Sequence, residues 1–308
     1  MKHLLYLKEL NQSTISKLLA KAETFLSTNN FPPQEDKSLQ GTTLANLFLE
    51  PSTRTRSSFQ IAAKRLGADV LNIDNQHSSR VKGESIIDTI RTLEAMGVNY
   101  FVVRHNERGI LSKIVPNLDA DSHLINGGES TESHPTQGLL DLLTIKKHKK
   151  SFDQIKVAIV GDIKHSRVAR SLAEGLTIMA GKKLALISPE EFKPNMELYP
   201  KAEHYKNLDQ GLINADVVVA LRVQKERIEN LTKTMSPEDY FGKYGLTKKR
   251  LQPCNEDVIV MHPGPVNRGV EISDEVVDGT NSVIREQVTN GIAIRMALLS
   301  MMQAEVMK

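Results

Sequence analysis

The sequence is poor in the residues that build disulfide-stabilised and cysteine-rich metal-binding scaffolds. It has one cysteine, Cys254, and no tryptophan among its 308 residues. A single thiol excludes a disulfide or a cysteine zinc cluster within the chain. It is also typical of proteins that work in a reducing compartment. We therefore expect a cytoplasmic protein.

Long apolar runs and an excess of one charge are missing as well. Residues 1–9 form too short an apolar stretch for a secretory signal. Arg295 interrupts the apolar segment 291–302, so we expect a packed or amphipathic helix there rather than a membrane span. The 40 basic and 37 acidic residues give a net charge of +3. Such a balance disfavours nucleic acid or a membrane surface as a partner.

What the sequence does contain is a series of short apolar runs, each followed by a helical pattern. The runs are Leu44–Leu49, Val70–Ile73, Tyr100–Val103, Ser122–Asn126, Ile155–Val160, Leu184–Ile187, Val217–Leu221 and Val258–Met261. Alternating strands and helices predict parallel sheets with helices on both faces. Two sets of about four strands, in a chain long enough for two domains, predict an α/β protein with two doubly wound parallel-sheet domains.

Charged segments mark the predicted divisions of the chain. The basic run 146–150 indicates a domain boundary, and we interpret it also as the solvated end of a helix over 138–145. The polar region 224–253 predicts a long surface excursion, or a mobile loop with short helices.

The segment Ser52-Thr53-Arg54-Thr55-Arg56 is the strongest functional signal. Glu50-Pro51 ends the first predicted strand, Ser52 is a suitable N-cap, and a helix is predicted from Thr53 to about Leu66. A helix start offers unpaired N–H groups and the positive end of a dipole. Because hydroxyl and guanidinium groups crowd the same point, the segment predicts a phosphate site built without a glycine-rich loop.

Further arginines follow other predicted strands, where open parallel sheets bind their ligands. They are Arg104, Arg167 and Arg222. Guanidinium groups suit the bidentate recognition of carboxylate and phosphate. Together with Arg54 and Arg56, they predict a site for a multiply charged small anion, and more than one such site.

Several common sites are missing from the sequence, whereas one histidine stands out. Gly161 ends a predicted strand, but the glycine fingerprint of a nicotinamide-binding unit is incomplete after it. We find no Gly-x-Ser-x-Gly elbow and no metal-ligand spacing, so we expect neither a cofactor nor a metal. His134 lies at a predicted helix start, which favours neutral imidazole. Gln137 follows one turn later, and we interpret both as functional.

Together these motifs resemble the carbamoyltransferase family, over essentially the whole chain. The markers are Ser52–Arg56, Lys82-Gly83-Glu84, Arg104-His105, His134-Pro135-Thr136-Gln137, Arg167, Arg222–Arg227 and His262-Pro263-Gly264-Pro265. Carbamoyltransferases in general share the first motif. Thr136, the Lys-Gly-Glu loop and the Arg222–Arg227 segment point to the catalytic chains of aspartate carbamoyltransferases. Ornithine carbamoyltransferases typically have cysteine in place of Thr136.

The resemblance implies a reaction and a domain plan. Carbamoyl phosphate and L-aspartate would give N-carbamoyl-L-aspartate and phosphate, an early step of de novo pyrimidine (UMP) biosynthesis. Residues 1–148, joined by a C-terminal helix at about 291–308, would form the carbamoyl phosphate-binding domain. Residues 149–290 would form the aspartate-binding domain, with the active site between the two. Phosphate is a good leaving group, so direct attack by the amine requires no covalent enzyme intermediate.

The resemblance also assigns roles to individual residues. Carbamoyl phosphate would be bound by Ser52, Thr53, Arg54, Thr55, Arg104, His134, Gln137, Gly264 and Pro265. Among these, Thr55, Arg104 and His134 would be catalytic, as donors to the reacting carbonyl oxygen. Aspartate would be bound by Lys82, Arg167, Arg222 and Gln224. Ser78 and Lys82 would reach the site from an adjacent subunit, which implies a homotrimer with shared active sites.

Two alternatives stay open at this point. The first is a carbamoyltransferase for another amine such as ornithine, although Arg222 and Gln224 suit a second carboxylate. The second is an inactive homologue acting as a scaffold, although the phosphate-binding motif is complete. The chain also departs from some family members, which have leucine at the position of Gly264 and arginine soon after Pro265. A regulatory chain or a dihydroorotase partner is compatible with the sequence.

Overall fold

The computed structural model describes residues 1–26, 36–74, 84–223 and 236–306. The chain forms two compact units. Unit 1 comprises Met1–Leu140 and Thr289–Lys308, and unit 2 comprises Asp141–Val288. Within the described ranges, no helix combines the length and the apolar character needed to cross a membrane.

Unit 1 is built on a parallel sheet with the strand order β2-β1-β3-β4. Its strands are β1 Thr43–Phe48, β2 Asp69–Asp74, β3 Tyr100–His105 and β4 His123–Glu129. The helices of this part of the chain are α1 Gln12–Leu26, α2 Thr53–Arg65, α3 Ile86–Ala95, α4 Ile110–Ile114 and α5 Pro135–His148, with 3-10 turns at Leu7–Glu9 and Val115–Asn117.

Unit 2 contains a second parallel sheet, with the strand order β7-β6-β5-β8-β9. The strands are β5 Lys156–Val160, β6 Lys183–Ile187, β7 Ala202–Tyr205, β8 Val217–Ala220 and β9 Ile259–Met261. The helices of this part of the chain are α6 Arg167–Ile178, α7 Leu208–Leu212, α8 Pro237–Tyr244 and α9 Asp274–Val277, with 3-10 turns at Glu190–Phe192, Met196–Leu198 and Lys249–Leu251. The last helix, α10 Ile284–Val306, begins in unit 2 and continues in unit 1. The division between the units falls inside α5 and inside α10.

The predicted fold class, two parallel-sheet α/β domains, is confirmed. A strand forms at every predicted apolar run, and the central strands are buried along nearly their whole length, as β1 and β8 show. Such continuous burial is the mark of a sheet covered on both faces. The strand that the sequence did not reveal is β7, which lies at a sheet edge and is only half-buried. Because an edge strand stays partly exposed, it can form from residues that do not make an apolar run.

Two predictions about the surface hold only in part. Residues 224–235 lie outside the described part of the chain, and the rest of the predicted excursion forms short helical segments as expected, but it also contributes to the core. Tyr240 and Tyr244 are buried on α8 with their rings stacked 5.5 Å apart. The basic run ends α5 and exposes Lys147 and His148 as expected, but Lys149 is buried and its Nζ lies 2.7 Å from Asp257.

The predicted helix at the C-terminal apolar segment is confirmed as a packed one. Helix α10 has 23 residues and carries Arg295, which is buried with only 3% of its surface exposed. Helix α2 likewise follows its prediction, with Phe59, Ala62 and Ala63 buried on one face.

The N-terminal segment is fastened along β4 by backbone hydrogen bonds. Leu4 donates to the carbonyl of Leu124, and its own carbonyl accepts from Asn126. The amide of Leu124 donates to Nδ1 of His3 at 3.1 Å. Burial, with help from Lys2 and His123, lowers the pKa of His3 to about 4. Since Nδ1 accepts this hydrogen bond, the attachment requires the unprotonated ring.

We expect this attachment to weaken with acid. The pKa of His3 is lowered in the folded chain, so the His3 contribution to stability is complete above pH 6.5 and is lost as the pH falls towards about 4. Amide hydrogen exchange at Leu124, compared with a His3→Asn variant whose side-chain oxygen does not titrate, measures the effect. Protection in the wild type should fall relative to the variant on acidification. If the difference in Leu124 protection between the wild type and the variant does not change with pH, the role assigned to His3 is contradicted.

Candidate active site

Both sheets contain a point where the strand order reverses. In unit 1 the reversal lies between β1 and β3, and in unit 2 it lies between β5 and β8. At such a point the connections leave on opposite faces, which opens a crevice beyond the carboxyl ends of the strands. Of the residues that the sequence predicts to be functional, Ser52–Arg56 follow β1, Arg104 lies near the end of β3, Arg167 follows β5 and Arg222 follows β8. Each unit therefore places its predicted functional residues where its sheet can bind a ligand.

The segment Ser52–Arg56, which the sequence predicts to be a phosphate site, forms the start of α2. Thr53 is the first helical residue and Ser52 occupies the N-cap position, as predicted. The Ser52 side chain makes no capping hydrogen bond to the described first turn of the helix. Thr53 and Arg54 are exposed, whereas Thr55 is buried. First-turn N–H groups that no cap occupies can bind an anion.

A second helix start lies beside the first. Oγ1 of Thr55 and Nε2 of His134 are 3.3 Å apart, although 79 residues separate them in the chain. His134 is buried and directly precedes α5, and the Gln137 amide donates to its carbonyl at 2.9 Å. The structure thus brings the Thr55 hydroxyl and the His134 imidazole together, and it places Gln137 in the first turn of α5. Such a set of donors can bind an oxyanion or a polarised carbonyl oxygen.

Arg104 reaches the same edge of the sheet through an irregularity in β4. The strand register shifts after Val103, which leaves Gly127 as an extra residue. Nη1 of Arg104 lies 3.4 Å from the carbonyl of Gly127, and its Nε lies 3.2 Å from a carboxylate oxygen of Glu50. From the sequence alone, Glu50 is predicted only to end a strand. As the one acid between Phe48 and Phe59, it supplies the counter-charge that a half-buried guanidinium needs.

Arg295 contacts the middle of α2 and the start of α5 from the interior of unit 1. Its guanidinium lies 4.9 Å from the ring centre of Phe59 on α2, and its Nη2 donates to Oγ1 of Thr136 at 3.3 Å. Thr136 is fully buried, so its hydroxyl serves this contact rather than a ligand. The sequence shows Arg295 as a charged residue within an apolar helix, which is a sign of a buried polar contact. The residues that it contacts could not be predicted from the sequence.

In unit 2, the loop after β5 carries the first arginine. Ser166 caps α6 by accepting from the Ala169 amide at 3.1 Å, and Arg167 is the first residue of that helix. Before it, buried Asp162 has Oδ1 2.8 Å from Nδ1 of His165. Gly161 has φ +129°, and a Cβ there would lie 3.1 Å from Leu221. The close approach of the two strand ends therefore requires glycine.

The neighbouring strands carry the other predicted residues of unit 2. Arg222 is exposed just after β8, and the loop with Gly264 and Pro265 follows β9, the next strand of the sheet. Gly264 has φ +67°, in the left-handed region that favours glycine. Arg167 and Arg222 thus follow adjacent strands, β5 and β8. Two guanidinium groups in such positions suit a ligand with two carboxylates.

Some predicted positions fall outside what can be described. Ser78, Lys82 and Gln224 belong to the segments 75–83 and 224–235, which the structure does not describe. Among the residues it does describe, no three His, Cys, Asp or Glu side chains come together in a way that could hold a metal ion.

Comparison with known proteins places both halves of the chain in one family of domains. Residues 2–147 match the carbamoyl-P binding domain of aspartate/ornithine carbamoyltransferases. Residues 153–302 match the Asp/Orn binding domain of the same enzymes.

Solved structures with the same fold include enzymes of both substrate types. The catalytic subunit of M. jannaschii aspartate transcarbamoylase is 33% identical, with a TM-score of 0.86 and coverage of 99% of each chain. Aspartate transcarbamoylase from Trypanosoma cruzi, in complex with carbamoyl aspartate and phosphate, is 30% identical, with a TM-score of 0.85 and coverage of 97% of this chain and 94% of that one. Ornithine carbamoyltransferase from Pyrococcus furiosus is 27% identical, with a TM-score of 0.84 and coverage of 97% and 96%.

The contact between Arg295 and Thr136 can be tested with a matched pair of variants. Thr136→Val keeps the shape of the side chain but removes the acceptor, which we expect to cost about 1–3 kcal/mol because a buried donor loses its partner. Thr136→Ser keeps the hydroxyl and loses one methyl group, at about 1 kcal/mol. Thermal unfolding and hydrogen exchange in the first turn of α5 measure both. A valine variant as stable as the wild type would rule out a role for the hydroxyl.

Proposed function

This chain belongs to the aspartate/ornithine carbamoyltransferase family, and we propose that it transfers the carbamoyl group of carbamoyl phosphate to L-aspartate. The products are N-carbamoyl-L-aspartate and phosphate, and the reaction serves de novo pyrimidine biosynthesis in the cytoplasm. The observation that carries the choice of aspartate is the pair Arg167 and Arg222, which follow adjacent strands of unit 2.

Charge supports aspartate over ornithine as the acceptor. Aspartate presents two carboxylates, and each can pair with one guanidinium group. Ornithine presents one carboxylate and a cationic side chain, which a second arginine would repel. Gln224 and Lys82, assigned to aspartate by the family resemblance, add donors that suit the same ligand. Because similar structures include both enzyme types, the substrate assignment depends on these side chains.

Carbamoyl phosphate is assigned to the helix starts of unit 1. The phosphate binds at the start of α2, to Ser52, Thr53, Arg54 and Thr55. The carbonyl oxygen accepts hydrogen bonds from Thr55, Arg104 and His134. Gln137 and the backbone at Gly264 and Pro265 hold the carbamoyl nitrogen. The 3.3 Å approach of Thr55 to His134 supports this assignment, since donors for one oxygen atom have to converge.

The proposed chemistry is a direct displacement. The neutral amine of aspartate attacks the carbonyl carbon, a C–N bond forms, and negative charge grows on the carbonyl oxygen. The C–O bond to phosphate then breaks, and the leaving phosphate takes the proton from the amine nitrogen. Each well-placed donor to the oxyanion is worth about 3–4 kcal/mol of barrier. Holding two anions in attack geometry contributes roughly 7–11 kcal/mol.

A homotrimer with shared sites is part of the proposal. Ser78 and Lys82 reach the site of an adjacent subunit, and they follow β2 in the chain. Strand β2 is an edge strand of the unit 1 sheet, and it exposes 39% of Leu71. Ile61 on α2, which packs against β2, is exposed to the same extent. An exposed edge strand with apolar side chains beside it supports a subunit contact there.

We expect the purified chain to form carbamoyl-aspartate from carbamoyl phosphate and aspartate, and to use ornithine poorly. Arg54→Ala should abolish turnover, and His134→Ala should lower kcat by about 10²–10³-fold. Lys64→Ala, at the far end of the same helix and exposed, is the matched control. Product assays with each amine give the answer. Turnover with ornithine alone would overturn the aspartate assignment, and none with either from folded protein would favour a scaffold.

The subunit contact has its own test. Leu71→Lys should lower the mass measured by sedimentation towards that of a single chain, and it should reduce activity in parallel. Leu198→Lys is the control, since Leu198 is equally apolar and 45% exposed but lies in unit 2. A Leu71→Lys variant that keeps both its mass and its activity would place the contact elsewhere.

A further inference from the structure

His262, the first residue after β9, is held in one neutral form by its contacts. It is buried, and its Nδ1 lies 2.8 Å from the amide nitrogen of Gly264. A backbone N–H can only donate, so Nδ1 accepts and carries no proton. The ring proton is therefore on Nε2, which donates to Oε1 of Glu271 at 3.1 Å. The histidine thereby ties Glu271 to the loop that carries Gly264 and Pro265.

Glu271 organises this loop through one carboxylate oxygen. Oε1 accepts from His262 and also from the amide of Asn267 at 2.6 Å. His262 and Asn267 flank the segment 263–266, so the two hydrogen bonds hold both of its ends. Glu271 is itself 2% exposed, and its own carbonyl accepts from the Leu246 amide. The carboxylate thus lies on a backbone that is already fixed.

Three further hydrogen bonds extend the network on its two sides. The amide of His262 donates to Gln287 at 3.0 Å, and Gln287 donates to Oδ1 of Asp141 at 2.6 Å. On the other side, Nδ2 of Asn267 donates to the carbonyl of Val223 at 2.9 Å. Val223 directly follows Arg222. The network therefore joins the loop after β9 to the end of β8.

The part of the chain that follows the loop is secured independently. Arg268 donates to Asp274 at 2.6 Å and to both carboxylate oxygens of Asp278 at 2.7 and 2.9 Å. These contacts do not involve Glu271. Removing the carboxylate should therefore release the loop without unfolding the residues after it.

We infer that Glu271 and His262 are positioning residues for carbamoyl transfer. They hold Gly264 and Pro265, and through Asn267 they hold the backbone at Arg222. The inference rests on the proposed function, which assigns the first pair to the carbamoyl nitrogen and Arg222 to aspartate. Buried ion pairs and polar groups are poor sources of stability, since apolar residues of the same volume often serve as well. The carboxylate of Glu271 accepts hydrogen bonds that order two ligand-binding segments, which an apolar residue at this buried position could not do.

The first test compares replacements of Glu271. Glu271→Gln keeps an acceptor oxygen for both donors, whereas Glu271→Met keeps the volume and removes it. A loop displaced by about 1 Å loses about 10²-fold in kcat/KM. We expect that loss in the methionine variant, with KM raised for both substrates, and near wild-type kinetics in the glutamine variant. Glu197→Met, at an exposed glutamate of unit 2, is the control.

The second test separates the two contacts of His262. His262→Asn places an acceptor near the position of Nδ1 and loses the donor to Glu271. His262→Gln places a donor near the position of Nε2 and loses the acceptor for Gly264. Both should raise KM, and hydrogen exchange should show faster exchange at Gly264 in the glutamine variant and slower exchange there in the asparagine variant. Equal exchange at Gly264 in the two variants would contradict the assigned tautomer.

The outcomes separate this inference from the proposed function. If the wild type makes carbamoyl-aspartate and Glu271→Met has the same KM and kcat, the positioning role is overturned and the proposed function stands. Equal losses in Glu271→Met and Glu271→Gln also overturn it, because the acceptor is then not what matters. If the folded wild type turns over no aspartate, the proposed function fails and the inference fails with it.

Discussion

The strand order of the two parallel sheets is the constraint on which the candidate site depends. In a parallel sheet, all carboxyl ends meet at one edge, and a reversal of strand order leaves that edge accessible between two connections. Both sheets have such a reversal. Side chains that bind a multiply charged ligand are therefore expected at or just beyond the ends of the strands around each reversal. The arginines at these points follow from this requirement.

Concentrating guanidinium groups at a sheet edge creates a repulsion that the protein has to offset. Glu50 beside Arg104 is one response, because a carboxylate within 3.2 Å supplies counter-charge. Arg295 is a separate case, a guanidinium in the interior of the same unit that contacts the Phe59 ring and the Thr136 hydroxyl. The contacts of Arg104 and Arg295 lie behind the ligand-binding loops, and they hold the backbone of these loops in place. The pair His262 and Glu271 does the same in unit 2.

Much of this architecture could be predicted because apolar periodicity is local. The run before Ser52 had to be buried, and the breaker Glu50-Pro51 had to end it, whatever the rest of the chain did. The same logic located the start of α5 after His134 and the packed helix around Arg295. It failed for β7, whose pairing with β6 depends on a neighbour, and for Lys149, whose burial depends on Asp257.

The sequence by itself determined the chemistry of the candidate site. Hydroxyl, guanidinium, imidazole and amide groups stand at strand ends and helix starts, and their identity limits the ligand to anions and polarised carbonyls. Only the tertiary structure decided which of them meet. Thr55 and His134 are 79 residues apart, and Glu50, Arg295 and Glu271 gained roles through partners distant in the chain. Residue type and periodicity act over a few positions, whereas convergence results from packing across strands and helices, which no short pattern encodes.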